Sequence, residues 1–286
     1  MKRRRQAPSC FDPARWYLPD DPLLGLVKIP SGSFTMDGGG NPHQVDLPDF
    51  WIARLPTTVA QFTAFLNATG FPSGSLEFLN SDVDHPVNWV SWHEAMAYCD
   101  WLELELMALA AQSIEEAIDE PIAEIWRGLL GDSLHLSLPS EAEWEKTARG
   151  TDGAAYPWGD EFDPRRCNTK EAGLGKISPV GAFPDGASPY GVLDMSGNVW
   201  CYLRTVWGPS LEEPTYRMPY DADDGREDVN ADLSLLRCAR GGAFTVEPER
   251  AKSTFRDAIA TDSRDDADGF RIVISSQAAR RESDPT

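Results

Sequence analysis

The chain of 286 residues has no Cys-x-x-Cys pair, no His-x-x-x-His spacing and no long apolar run. Its five cysteines, Cys10, Cys99, Cys167, Cys201 and Cys238, are scattered and odd in number. That pattern fits reduced thiols rather than a disulfide framework, and it points to the cytoplasm. The four histidines, His43, His85, His93 and His135, offer no zinc-type spacing. No stretch reaches the roughly 18–20 apolar residues that cross a bilayer, so no membrane span is expected. The opening MKRRRQAPSCFDPARW has a basic cluster but no apolar h-region, so it does not read as a secretory signal. Positive charge is scarce as well. Against 46 acidic residues stand 26 Lys and Arg, a net charge of −20. Such a surface repels a phosphate backbone, which excludes nucleic acid as a partner and favours basic ones.

What is present is enough apolar material for a sizeable core, 41% of residues. Residues 1–23 read as an irregular lead-in and 276–286 as a flexible tail. Leu26 to Met36 reads as a strand with a turn at Pro30-Ser31-Gly32, and HQVDLPDFWIARLP as a strand pair. Val59, Phe62, Phe65 and Leu66 recur at helical spacing, with Gly70 as the stop. Ser91 with Glu94, and Ser140 with Glu143, are capping-box pairs that open two more helices. Residues 102–136 are rich in Leu, Ala, Ile and Glu and read as two helical pieces broken near Pro121. They are either a partner-binding element or a helix pair covering the core, and the second is the plainer reading. From Thr151 onward Gly, Pro, Asp and Asn dominate, yet the many aromatics from Tyr156 to Trp207 must be pinned by short strands, ions or hydrogen bonds.

Several phrases then line up in order: FTMDGG (34–39), IARLPTTVAQFTAFLNATG (52–70), HPVNWVSWHEAMAYCDWL (85–102), LPSEAEWEKTARG (138–150), YPWGDEFD (156–163), SPVGAFPDGASPYGVLDMSGNVW (178–200), and RGGAF followed by GFR (240–271). Together they resemble the formylglycine-generating-enzyme/sulfatase-modifying-factor family. The resemblance implies an α+β, variant C-type lectin fold with short twisted sheets and many loops. It implies one domain over 24–275, with 102–136 as a helical insertion.

The oxidases of that family hold copper(I) on two cysteines just after a Gly-Gly phrase. Aligned on Gly241-Gly242-Ala243-Phe244, those positions are Val246 and Ala251. Neither side chain can ligate copper, so no copper and no oxidase activity are expected. The resemblance also implies two calcium-type sites. One maps to Asn168, the carbonyl of Thr169, Glu171 and the carbonyl of Gly173. The other maps to Asp194 and the carbonyls of Gly197 and Val199, with Cys201 where the family commonly has a carboxylate.

The lead-in FDPARWYLPDDPLLGLVKIPSGSF, the phrase RMPYDADDGRED and the compact tail are similar to the variable proteins of diversity-generating retroelements. They are also similar to ligand-binding modules attached to bacterial signalling NTPases. In the variable proteins, adenine-directed mutagenesis rewrites the segment between the glycine pair and GFR. The fixed positions would be Arg240, Gly241, Gly242, Phe244, Arg256, Arg264, Gly269, Phe270 and Arg271. Arg256, Arg264 and Arg271 are expected internal salt-bridge donors. The ligand-binding positions would be Thr245, Val246, Glu247, Glu249, Phe255, Asp257, Ile259, Ala260, Ser263, Asp265, Asp266 and Ala267. An AAC codon randomised at its adenines cannot encode glutamate, which sets Glu247 and Glu249 apart. The expected function is a non-catalytic binder of a protein or other macromolecule. The alternatives are a sensor or accessory subunit working with a signalling ATPase, and a formylglycine-generating-type oxidase.

Overall fold

The computed structural model describes residues 23–38, 40–117, 120–212 and 214–278. The lead-in and the end of the tail lie outside the described residues. Among the described residues, ten strands form three small sheets. The first has β1 (Leu26–Ile29), β4 (Phe50–Ala53), β10 (Val273–Ser275) and β5 (His135–Ser137), antiparallel and in that order. The second pairs β2 (Gly32–Met36) with β3 (His43–Leu47). The third runs β8 (Asp257–Ile259), β7 (Leu236–Arg240), β6 (Trp200–Gly208) and β9 (Asp268–Phe270), with β6 and β9 parallel. The C-terminal strand β10 is thus held between two N-terminal neighbours, Ile52 on β4 and Ser137 on β5 both pairing with Val273.

Two strand expectations change. Leu26 to Met36 is two strands in different sheets, because the chain turns at Pro30 and leaves β1 to pair with β4 and β2 with β3. The two strands of HQVDLPDFWIARLP exist as β3 and β4 but do not pair with each other. Alternation identifies a strand; the neighbour is chosen by which apolar face must be covered.

The helices follow their caps. α1 (Val59–Thr69) opens on a Thr58–Gln61 capping box and stops at Gly70, whose φ of 67° is left-handed. α2 (Trp92–Ser113) opens on Ser91 and Glu94, and α4 (Glu141–Arg149) on Ser140 and Glu143, each box closed both ways. α3 is Ala123–Leu130. The first piece of the 102–136 stretch is therefore no separate helix. α2 runs unbroken from Trp92 to Ser113 and the chain turns before Pro121. Leu102, Leu106, Ile125, Trp126 and Leu129 are buried in one cluster with Leu24, Leu26, Ile272 and Ile274. The pair α2–α3 thus covers the face of the first sheet, as the plainer reading has it. A second cluster lies between the sheets and α4, centred on Trp144, Leu203 and Cys238. A third, small one lies under the C-terminal segment. Arg204, Arg226, Arg237, Arg240 and Arg271 are all at most 1% exposed, so the loop-rich half is organised around buried guanidinium groups.

Candidate functional site: the segment from Arg240 to Arg271

The segment begins where β7 ends. Gly241 and Gly242 have φ of 94° and 72°. A Cβ on Gly242 would sit 3.0 Å from the Ala251 Cα, the Arg250 carbonyl and the Val246 Cγ2. Glycine is needed there for both conformation and space. The Gly241 carbonyl accepts from the Gly197 N–H at 2.7 Å, and the Phe244 N–H donates to the Asn198 carbonyl at 3.1 Å. Beyond this anchor the chain makes a 3-10 turn at Pro248–Ala251, then β8, then a loop into β9.

Arginines hold the frame. Arg240 binds Glu145, with its Nε 3.3 Å from Glu141, all three fully buried. Arg256 forks onto Glu141 at 2.5 and 2.8 Å, and Arg264 donates to Glu94 at 2.9 Å. Burial alone would raise the Glu141 carboxyl, but Arg256 and Arg240 outweigh it and hold it below its ordinary range. Glu94 is also held low: burial opposes, and the backbone N–H groups of Ser91 and Gly74 prevail. Arg271 departs from expectation. It donates to the carbonyls of Ala53, Leu193 and Asp194 at 2.8–3.0 Å, not to a carboxylate, tying the end of β4 to the loop before β6.

Val246 and Ala251, where the resemblance places the copper cysteines, are buried in the third cluster with Ala243, Phe244, Val199 and Trp200. That position is apolar and closed. The described cysteines, Cys99, Cys167, Cys201 and Cys238, are buried and form no disulfide among the described residues. Burial pushes the Cys167 thiol up to about 11. Cys238 is raised further still by burial and then by Glu141, toward which its Sγ points at 3.8 Å. Thiolate chemistry needs the opposite shift.

Of the twelve expected ligand-binding residues, Thr245, Glu247, Glu249, Asp265 and Asp266 are exposed. Phe255, Asp257, Ile259, Ala260 and Ser263 are half-buried. Val246 and Ala267 are buried and do not belong to the accessible face, because both pack under it in the third cluster. Three residues absent from the sequence-based set join the site. Arg250 lies over the rings of Trp200 and Phe255. Asp268 is buried at the start of β9, and burial, then Asp265, pushes its carboxyl up to about 7. Trp200 and Arg250 are fifty residues apart, so no local pattern could join them.

The two calcium-type sets differ. Asn168 donates through Nδ2 to the Lys176 carbonyl at 2.9 Å and to the Asn198 Oδ1 at 3.2 Å. Its own Oδ1 is buried with no hydrogen-bond partner. Thr169 Oγ1 donates to Glu171 at 3.0 Å, and Gly173 closes the turn in the left-handed region. An orphaned buried oxygen in a loop that also carries Glu171 suits a hard cation. At the second set, Asp194 accepts from the Gly181 N–H at 2.7 Å, with φ of 53° at Asp194 itself. Arg271 lies beside Asp194 and Cys201 and supplies positive charge to both. Gly197 and Val199 are held in the turn that follows, where an added Gly197 Cβ would meet the Asn168 carbonyl at 2.4 Å.

Three small sheets, helices packed against them and a C-terminal segment framed by a glycine pair and buried arginines define the variant C-type lectin fold of the formylglycine-generating type. The sulfatase-modifying factor enzyme 1-like domain matches residues 19–276, and the chain belongs to that family. It is 30% identical over 301 positions to the formylglycine-generating enzyme of Thermomonospora curvata, covering 89% of this chain and 95% of that one. It is 32% identical over 299 positions to an inactive C-alpha-formylglycine-generating enzyme 2 of Bos taurus, covering 91% of each. The family thus holds both active and inactive relatives. Among solved structures, PvdO from Pseudomonas aeruginosa has a TM-score of 0.62 at 22% identity, over 87% of this chain and 94% of that one. Treponema denticola variable protein 1 has a TM-score of 0.59 at 20% identity, with the same coverage. These two likenesses are of fold.

Proposed function

We propose that the protein is a non-catalytic binding protein of the retroelement variable-protein type, with the Arg240–Arg271 segment as its binding face. The observation that carries this is the closed apolar packing of Val246 and Ala251, in a frame whose glycines and arginines are all kept. The frame anchors a face and the chemistry of the oxidases has no ligand there. Exposed positions between the anchors can change with little effect on the fold, which is what a rewritten surface requires. The ligand is a protein or other macromolecule with basic character, matched to a chain of net charge −20. Asn168, Thr169, Glu171 and Gly173 would hold a structural calcium ion that cross-links the loop beneath the segment; copper has no place. The segment's fixed charge pairs do not involve that ion.

Two measurements test this. Purified protein loaded with copper(I) under reducing conditions is expected to retain none stoichiometrically and to leave a cysteine peptide unoxidised; retention or oxidation would restore the oxidase reading. The gene's surroundings are expected to hold a reverse transcriptase and a near-copy of codons 240–271 that differs only at adenines. A second reading, an accessory subunit of a signalling ATPase whose surface does not diversify, rests on Glu247 and Glu249, which an AAC codon cannot yield. It prevails if no such near-copy exists.

A further inference from the structure

Arg250 stands on the 3-10 turn of the segment. Its guanidinium carbon is 5.4 Å from the centroid of the Trp200 ring and 5.4 Å from that of Phe255. The two ring centroids are 6.2 Å apart with planes at 41°, so they form a bent aromatic floor. The Asp257 carboxylate closes one side by accepting from Arg250 Nη2. Aromatic faces and a carboxylate are the surroundings that select a guanidinium, through cation–π attraction and a charge-assisted hydrogen bond.

What distinguishes Arg250 is that it can leave. Arg240 and Arg256 are tied to the fully buried Glu141, and Arg264 to the buried Glu94. Removing any of these would take a cation away from a buried carboxylate, which costs more than losing a surface pair. Arg250 keeps 48% of its side chain exposed, and Asp257, its carboxylate partner among the described residues, is itself reached by water. Displacing Arg250 uncovers a floor and a negative charge at the surface, next to the exposed Glu249.

We propose that Trp200, Phe255 and Asp257 form a recognition slot for an arginine side chain of a partner protein, and that Arg250 is a built-in occupant which the partner's arginine displaces. This rests on the binding-protein reading and names the ligand chemistry of that face. Arg250 is then an internal competitor: it keeps the aromatic floor covered in the free protein and sets a threshold on affinity.

The experiment uses the full chain and a Gly-Gly-Arg-Gly-Gly peptide amide as probe, followed by titration calorimetry. Arg250→Ala is expected to bind the probe about tenfold more tightly than the unsubstituted protein, since the competitor is gone. The same peptide with citrulline in place of arginine, planar but uncharged, is expected not to bind. Adding Asp257→Asn to Arg250→Ala is expected to abolish the gain. Arg250→Gln, which keeps a planar group without charge, serves as a second variant and is expected to show a smaller gain. Equal binding by Arg250→Ala and the unsubstituted protein, or equal binding of the citrulline peptide, overturns the proposal. Unfolding of both single variants, seen by circular dichroism, also overturns it, because Arg250 would then be a structural staple. Failure of the slot leaves the binding-protein reading standing, since that reading falls on copper retention by the unsubstituted chain.

Discussion

Asp268 is 5% exposed, at the first position of β9, where its backbone pairs with Trp200. Burial and the neighbouring Asp265 disfavour its charged form and push its carboxyl up to about 7. In the unfolded chain an aspartate titrates near 3.9. Between about pH 4 and 7 the native state therefore holds a proton that the unfolded state has lost, and stability falls as pH rises across that window. Its contribution is fully present below about pH 4 and gone above about 7. Asp268→Asn mimics the protonated form, so the variant is expected to be more stable than the unsubstituted protein at pH 8, by about 1–3 kcal/mol. The difference should shrink as pH is lowered toward 4, which urea unfolding at several pH values measures. A difference that stays constant with pH would assign the effect to packing. Glu141 has the opposite sign. Its carboxyl is held low by Arg256 and Arg240, so its support is lost as pH falls. Residue identity alone separated Val246 and Ala251 from cysteine; it could not place Asp268 and Glu141 in opposite environments.

At the scale of elements, the capping boxes of α2 and α4 were legible because Ser91 and Ser140 bond to positions three residues on, while the Thr58–Gln61 box of α1 came from the structure. Everything such a cap needs lies within one turn. The strands were legible as strands and not as neighbours. β4 pairs with β1 and β10, which are more than two hundred residues apart in the chain, and no local pattern carries that choice. The segment itself divides in the same way. Its glycine pair and arginines were readable as anchors, while burial of Val246 and Ala267 follows from a cluster assembled with Ile177, Val199 and Trp200. This division can be measured. Thr245→Ala and Glu249→Ala are expected to change stability by no more than about 0.5 kcal/mol. Gly242→Ala, forced into a left-handed φ against the Ala251 backbone, is expected to cost about 1–3 kcal/mol. Thermal unfolding of the three variants checks both. Equal losses would mean that the surface positions carry the fold.

For the whole molecule, the net charge of −20 and the collinear motifs were legible, and the motifs fixed the family. The calcium-type loop was legible only as a set of residue types. Its geometry leaves the Asn168 Oδ1 buried and without a partner, while Arg271 already neutralises the surroundings of Asp194. Calcium in excess over a chelator is therefore expected to raise the unfolding midpoint of the whole chain by about 2–6 °C through mass action on the native state. Asn168→Ala should remove the increment and Asp194→Asn should keep it. An increment that survives Asn168→Ala would move the ion elsewhere.

The sequence by itself determined where the capped helices α2 and α4 start, which two positions lack a thiol and what sign of charge the surface carries. These are properties of residue type and of spacing within a turn or a strand, and they hold whatever the chain packs against. The tertiary structure decided which strands are neighbours, that Arg271 bonds to carbonyls, that Val246 and Ala267 lie under the surface and that Arg250 lies across Trp200. Those outcomes depend on contacts between residues dozens to hundreds of positions apart, where burial and shape select the partner and no local period records the choice.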